Sequence, residues 1–571
     1  LITERNVIMN FKIGAMTDSF KKSFRESLDK AVEVGAEGIQ LYVTGGEMLY
    51  SNLDDAKLEE VKKLLAERNL VVSAVCGDFG GHGFESEEEN KWKIPASKAV
   101  ADIAKKLGSK VVTTHIGVVP ADKSGNYDRM KAACREIGEY AAAIGVTFAI
   151  ETGPEKPETL ADFIRDVGSK GIGVNLDPAN LVMVTDADPV QAVYTLKDFI
   201  VHTHAKDGIM IQKTDPRRIY TFFAEGGIED LRMEDYFKEL PLGEGKVDFD
   251  AYLKALDDIG YHGFLTIERE CGADPAADIK KAVDYLRSVI RKYSKKIGFI
   301  DYYLDEWHAN NYPRFIKEAV GDDFYVAYAY GEKDKEGGMT TDQWCEKNHV
   351  QKCDTIDEVV EKSDVLIVLS PDNPERHWDL CQKPLRSGKR VYVDKTFALS
   401  KKVAQDIVAL ADEHHTPFFS TSALRFADEL KGFDKNGICF ISSRGPGNFD
   451  TYAIHQLEPI VILMGSKVKR LMSIGAGKYE SMVIEFEGDR RAVMTHYGWT
   501  GIDFNMTVNY EDGRTVVIPQ MSNTFPTFIK EMCDFFKTGE IKAPHDETIA
   551  LMGIIEAGNK AIKTPDVWVE V

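Results

Sequence analysis

The sequence has no apolar run approaching the roughly 18 residues that a membrane-spanning helix needs, so no such span is expected. It also has no Cys-x-x-Cys pair and no dense cysteine framework. Cys76, Cys134, Cys271, Cys345, Cys353, Cys381, Cys439 and Cys533 are scattered, which fits inert thiols in a reducing cytoplasm. Basic residues are in deficit, 71 Lys and Arg against 92 Asp and Glu, for a formal charge of −21. A surface of that sign repels phosphate backbones and anionic lipid, so neither nucleic acid nor membrane is an expected partner. The opening residues carry Glu4, Arg5 and Asn6 and lack the apolar core of a secretory signal, so the expected location is cytoplasmic, with Met9 as the start. Internal repeats and low-complexity segments are missing too.

What is present is a strand–helix rhythm. A chain of 571 residues is too long for one hydrophobic core and predicts two or three domains. In the first half, β-branched runs recur at 11–17, 38–43, 70–76, 110–115, 146–151, 171–177, 199–204 and 263–268. Helical patterns follow, as at 23–34, 56–68, 94–107 and 127–144, and Gly35, Gly108, Gly145 and Gly260 punctuate their ends. Eight such units in about 280 residues predict an α/β fold in which a (β/α)8 TIM barrel spans 9–293. The competing reading is an open doubly wound sheet. A long insertion, 208–246, separates strands seven and eight and carries Arg217, Arg218, Phe222 and Phe223. Loops of that length are often lids or substrate walls.

Alternation resumes after 295, with expected strands at 296–300, 323–329, 364–369, 390–393 and 417–421 and helices at 374–387 and 401–414. This predicts a Rossmann-like doubly wound domain over 295–425. Strand-like stretches then cluster at 439–443, 469–474, 481–486, 492–497, 505–510 and 515–518, predicting an α+β domain with a mostly antiparallel sheet over 426–571.

Four potential metal ligands close four successive barrel strands: Glu151, Asp177, His204 and Glu268. The carboxyl ends of barrel strands converge on one mouth, so these residues meet in space. Three carboxylates there repel one another unless a cation offsets them. Three oxygen donors and an imidazole suit Mn²⁺, Mg²⁺, Co²⁺ or Zn²⁺ without choosing among them. Taken singly, each has a plainer role: Asp177 before Pro178 could only cap a helix, and one of His202 and His204 could be a packed core residue. Lys206 and His115 are candidates to orient hydroxyls or a developing oxyanion, or else structural donors.

The motifs Ile150-Glu-Thr, Leu176-Asp-Pro-Ala-Asn, His202-Thr-His-Ala-Lys-Asp, Leu242-Gly-Glu-Gly-Lys-Val-Asp-Phe and Leu265-Thr-Ile-Glu resemble the xylose-isomerase-like sugar phosphate isomerase/epimerase superfamily over about residues 11–290. The resemblance implies that Glu151, Asp177, His204 and Glu268 bind one divalent metal and that Glu151 and Glu268 exchange protons with a sugar. Two positions depart from the pattern: Asn180 stands where many relatives have histidine, and Met210 where some epimerases have arginine.

The second half resembles the glucose–fructose oxidoreductase/inositol dehydrogenase family. The resemblance rests on Asp364-Val-Leu-Ile-Val-Leu-Ser-Pro-Asp-Asn, Glu375-Arg-His, Gly388-Lys-Arg-Val-Tyr-Val-Asp-Lys-Thr, Arg425-Phe and His455. It implies that Lys395 contacts substrate and nicotinamide, that Asn373 lies at the cofactor, and that His455 is an acid/base. Departures argue against ordinary NAD(P) binding. The G-x-G-x-x-G loop is replaced by Gly298-Phe-Ile-Asp-Tyr-Tyr-Leu-Asp-Glu-Trp, and the usual aspartate before the histidine is Thr451. Glu332 alone remains to meet a ribose.

Three readings follow. One is a metal-dependent isomerase or epimerase fused to an oxidoreductase-like module without cofactor. Another is a bifunctional enzyme that oxidises a sugar with NAD(P) and then epimerises or cleaves the keto-sugar. The last is a non-catalytic sugar-binding or scaffold protein. Both resemblances imply a symmetric homo-oligomer.

Overall fold

The eight β-branched runs of the first half all become strands: Lys12–Met16, Gly38–Tyr42, Val71–Cys76, Val111–Thr114, Thr147–Glu151, Ile172–Leu176, Ile200–Ala205 and Phe264–Ile267. In the computed structural model, which describes residues 9, 11–228, 231–475, 479–499 and 501–571, they form a closed parallel barrel. The last strand pairs with the first, Lys12 opposite Phe264, which excludes the open sheet. Parallel strands are covered on both faces, so their sequences are almost continuously apolar. Every residue of Ile172–Leu176 is accordingly buried. The eight residues ahead of Met9 lie outside the described set.

Local chemistry sets the helix ends. Ser23 accepts the N–H of Glu26 and the Glu26 side chain reaches back, a capping box that starts Phe24–Val34; Gly35, at φ 84°, ends it. The helix expected over 94–107 begins earlier, spanning Glu87–Lys106 with Ser86 as its cap. Its first turn is Glu87, Glu88 and Glu89, which complement the helix dipole. Those acids carry no apolar periodicity, so the start was hidden.

The insertion is ordered around one carboxylate. Its strand Asp207–Met210 pairs antiparallel with Phe237–Leu240, and a helix, Pro216–Ala224, lies between them in sequence. Asp207 accepts N–H groups from Gly208 (2.8 Å), Gly243 (3.0 Å), Gly245 (2.9 Å) and Val247 (3.1 Å). A Cβ on Gly245 would lie 2.0 Å from Asp207 Oδ1. The Leu242-Gly-Glu-Gly motif is therefore a backbone cradle wrapped on Asp207.

The chain divides into two compact units at Tyr293 and Ser294. The second holds a six-stranded parallel sheet in the order Gln351–Lys352, Phe324–Gly331, Lys295–Asp301, Val365–Val368, Val391–Val393 and Phe418–Phe419. In chain order this is 3-2-1-4-5-6, the Rossmann arrangement. The strand Gln351–Lys352 escapes a sequence reading because both residues are polar and exposed. The helix expected over 374–387 is instead three short turns, Pro374–Arg376, His377–Cys381 and Pro384–Arg386. Pro384 cannot donate the hydrogen bond that a continuous helix requires. The seven-stranded second sheet is antiparallel except where Ile438–Gly445 runs parallel to Arg491–His496. Helix Thr524–Thr538 returns to the parallel sheet, where Phe528 and Phe535 meet Tyr392 and Phe419 at centroid distances of 5.3 and 5.0 Å.

Candidate active site

The barrel brings the four expected ligands together. Glu151 ends its strand, Asp177 and Glu268 directly follow theirs, and His204 lies one residue before the end of Ile200–Ala205. One ligand atom from each lies within 4.8 Å of the others, and all four residues are buried. Asp177 caps a helix and still faces the cluster: Oδ1 accepts the N–H of Asn180 at 2.9 Å, while Oδ2 faces His204 Nδ1 at 3.4 Å. His204 Nδ1 also lies 3.3 Å from Glu268 and 3.8 Å from Glu151.

The electrostatics are those of a cation trap. Burial disfavours the His204 cation, but Glu151 and Glu268 outweigh it and hold its pKa well above the ordinary histidine value. Burial pushes Glu151 up to about 7 against the pull of His115 and His204. Burial would raise Glu268 as well, but Lys206 and His204 hold it well below the carboxylate range. Lys206 Nζ is 3.0 Å from Glu268 and 2.5 Å from Glu270. The two catalytic glutamate candidates thus have opposite proton affinities, the arrangement that separates an acid from a base.

Sequence reasoning missed Gln40. Its Oε1 lies 3.1 Å from Nε2 of both His202 and His204, while its own amide nitrogen donates to Thr113 Oγ1 at 3.1 Å. Gln40 thus takes the Nε2 side of both rings, which leaves Nδ1 of His204 facing the carboxylates, where it would offer its lone pair to a metal on losing its proton. Burial keeps His202 neutral, its pKa lowered to about 3. A single amide in the apolar strand Gly38–Tyr42 was the available signal. Gln40→Leu is expected to weaken divalent-metal affinity about ten- to hundredfold without unfolding the barrel. A chelator-competition titration measures this, and an unchanged affinity would contradict the role.

Other side chains frame the cluster. Asn175 and Asn180 donate to the two oxygens of Glu151, each at 3.1 Å, so the departure at Asn180 still serves the site. His115 Nδ1 is 3.0 Å from Asp78 and its Nε2 is 3.6 Å from Glu151. Burial would lower His115, yet Glu151 and Asp78 raise it to about 10. Among the insertion residues singled out from sequence, Arg217 binds the Val118 carbonyl at 3.2 Å and Phe223 is 61% exposed. It is Tyr220 on the same helix that meets the site, its ring 5.9 Å from that of His115.

In the second unit, half-buried Lys395 adjoins His455. Burial, then the Lys395 charge, keeps His455 well below the ordinary histidine value, and its Nδ1 meets Ser422 Oγ at 2.8 Å. Thr451 turns away to Asn448 at 2.6 Å, and Asn373 is bound to Glu375 at 2.9 Å.

Residues 28–289 match the family model described as xylose isomerase-like TIM barrel. Residues 333–422 match that of an oxidoreductase family with an NAD-binding Rossmann fold, which points to NAD(P); the matched span begins after the first strand and its helix. An uncharacterized protein of Methanocaldococcus jannaschii is 25% identical over 305 residues, covering 51% of this chain and 94% of its own. L-ribulose-5-phosphate 3-epimerase of Shigella flexneri is 41% identical over 58 residues, 10% of this chain and 20% of that protein. Among solved structures, a xylose isomerase domain protein from Planctomyces limnophilus has a TM-score of 0.41 at 22% identity, covering 51% of this chain and 99% of that one. Scyllo-inositol dehydrogenase from Lactobacillus casei has a TM-score of 0.41 at 13% identity, covering 48% and 99%. The chain thus joins a closed barrel that matches the xylose isomerase-like model to a Rossmann-like sheet that matches, over residues 333–422, the oxidoreductase-family model.

Proposed function

We propose that the barrel is a divalent-metal isomerase or epimerase that moves a proton at a carbon beside the carbonyl of a sugar or keto-sugar. The convergence of Glu151, Asp177, His204 and Glu268 carries this reading. The match of residues 28–289 and the short segment shared with a sugar-phosphate epimerase support it. Donor number and type fit Mn²⁺, Mg²⁺, Co²⁺ or Zn²⁺. Such an ion would polarise the carbonyl and stabilise negative charge on its oxygen.

The chain's own groups do the rest. One of the two glutamates takes the C–H proton, and the electron pair moves toward the carbonyl oxygen. Return of a proton to the other face of that carbon inverts it; return to the neighbouring carbon relocates the carbonyl. In the metal-free site burial raises Glu151 while Lys206 and His204 hold Glu268 low, which makes Glu151 the stronger base of the two. Lys206 keeps Glu268 ionised, and Tyr220 with His115 forms part of the wall that excludes water.

Metal binding must displace protons from Glu151 and His204, whose pKa values are both raised. Affinity is therefore expected to rise with pH by up to roughly tenfold per unit for each proton displaced, His204 contributing across neutral pH and Glu151 adding to it below about 7. Calorimetry in two buffers of different ionisation enthalpy should show proton release; a pH-independent affinity between 6 and 8 would oppose this assignment. The reaction itself is tested by transfer of solvent deuterium into a panel of metal-supplemented sugars and sugar phosphates.

A further inference from the structure

The oxidoreductase family implies a nicotinamide dinucleotide in the second unit, so its crevice must offer free donors to a pyrophosphate. In Rossmann folds these are backbone N–H groups between the first strand and the N-terminus of the next helix. Here three of them are taken by side chains of the same loop. Glu306 caps helix Trp307–Val320, and its carboxylate accepts the N–H groups of His308 (2.6 Å) and Ala309. Its side chain is 1% exposed. Upstream, the Tyr302 N–H is bound by Asp301 Oδ1 at 2.7 Å. Two internal acids thus hold backbone donors that a phosphate would need; burial and the neighbouring Glu306 raise Asp301 toward its neutral form, so the repulsion of an incoming anion rests on Glu306. Leu304, also buried, fills space where the fingerprint has a small residue.

The rest of the crevice is closed in the same way. Glu332, placed after the second strand to meet a ribose, is bound to Arg376 at 2.8 and 3.0 Å. Arg376 and Lys333 lie over the Tyr302 ring at 5.7 and 4.4 Å. Tyr303 donates to Asp372 at 3.1 Å, tying the loop after the first strand to the loop after Val365–Val368. Glu332, Arg376 and Tyr303 are thus each paired with a neighbour of their own chain.

We propose that this unit is a self-plugged Rossmann fold: the Glu306 carboxylate takes the place of the pyrophosphate, and the unit binds neither NAD(H) nor NADP(H). The juxtaposition of Glu306 with the His308 and Ala309 N–H groups carries the proposal. It stands independently of the barrel's chemistry and removes the hydride carrier that the bifunctional reading requires.

The test uses the full chain. Energy transfer from tryptophan to NADH or NADPH should show no saturable binding up to about 1 mM, a range that covers ordinary cofactor affinities. Saturable binding in the micromolar range would overturn the proposal. Glu306→Ser keeps a helix cap and removes the carboxylate. This variant should bind inorganic pyrophosphate at least about tenfold more tightly than wild type, as a charge-assisted contact replaces a charge repulsion. In thermal melts, its midpoint should rise roughly 3–5 °C at ten times its Kd, against about 1 °C or less for wild type at the same concentration. Equal response of wild type and variant would show that the carboxylate does not occupy the anion site, and would overturn the proposal.

Discussion

Glu151→Gln is expected to slow deuterium transfer from solvent into the sugar by about 10²- to 10⁴-fold, the usual contribution of a positioned general base. The substitution keeps side-chain length, so Asn175, Asn180 and His115 retain a neighbour of the same shape. The amide cannot take a proton and carries no charge to offset a cation. Both functions assigned to Glu151 are lost together, and added metal should restore occupancy in part without restoring exchange. Lys206→Met should give a different pattern. Glu268 loses its 3.0 Å partner, its proton affinity rises, and the pH–rate profile shifts upward rather than merely falling. Exchange in Glu151→Gln within threefold of wild type would remove Glu151 from the chemistry.

Arg425→Met is expected to destabilise the second unit by about 3–5 kcal/mol. Arg425 and Glu458 form a buried pair at 2.6 Å, with side chains 10% and 1% exposed, and Arg425 also holds Glu547 at 2.6 Å. Removing the guanidinium leaves the Glu458 charge buried, with only Thr421 and the Ser422 N–H to meet it. Of the six tryptophans, all but Trp92 belong to this unit, so tryptophan fluorescence reports its unfolding. A midpoint lower by roughly 10 °C is expected. The pair Arg425→Met with Glu458→Met should recover much of the loss, because no unpaired charge then remains. A single variant as stable as wild type would contradict the weight given to this pair.

The barrel was legible because its strands are buried on both faces and its helices end on glycine, so periodicity alone located all eight units. The four-residue cluster was legible because strand ends converge, a property of topology that needs no side-chain detail. Gln40 and Tyr220 were not legible. Gln40 acts across the barrel, 162 and 164 residues from the histidines it orients, and no local pattern encodes that separation. Tyr220 lies in an insertion where Arg217 and Phe223 looked more promising; Arg217 binds the Val118 carbonyl and Phe223 is exposed. The second unit shows the reverse case. The bulk of Tyr302, Tyr303 and Leu304 where the fingerprint has small residues was plain in the sequence, yet it tells only what was lost. That Glu306 replaces the phosphate depends on the angle at which the chain enters the helix, which only the structure supplies. The helix expected over 374–387 failed for a local reason that was visible, Pro384, and was outweighed by the surrounding apolar pattern.

The most direct test of the central claim is the metal content of the purified chain after reconstitution at neutral pH, compared with His204→Ala. The account predicts about one equivalent of divalent transition metal in the wild type and less than about a tenth in the variant, with an unchanged circular dichroism spectrum. A wild-type protein that holds no metal under these conditions, or a variant that holds as much as wild type, would contradict it.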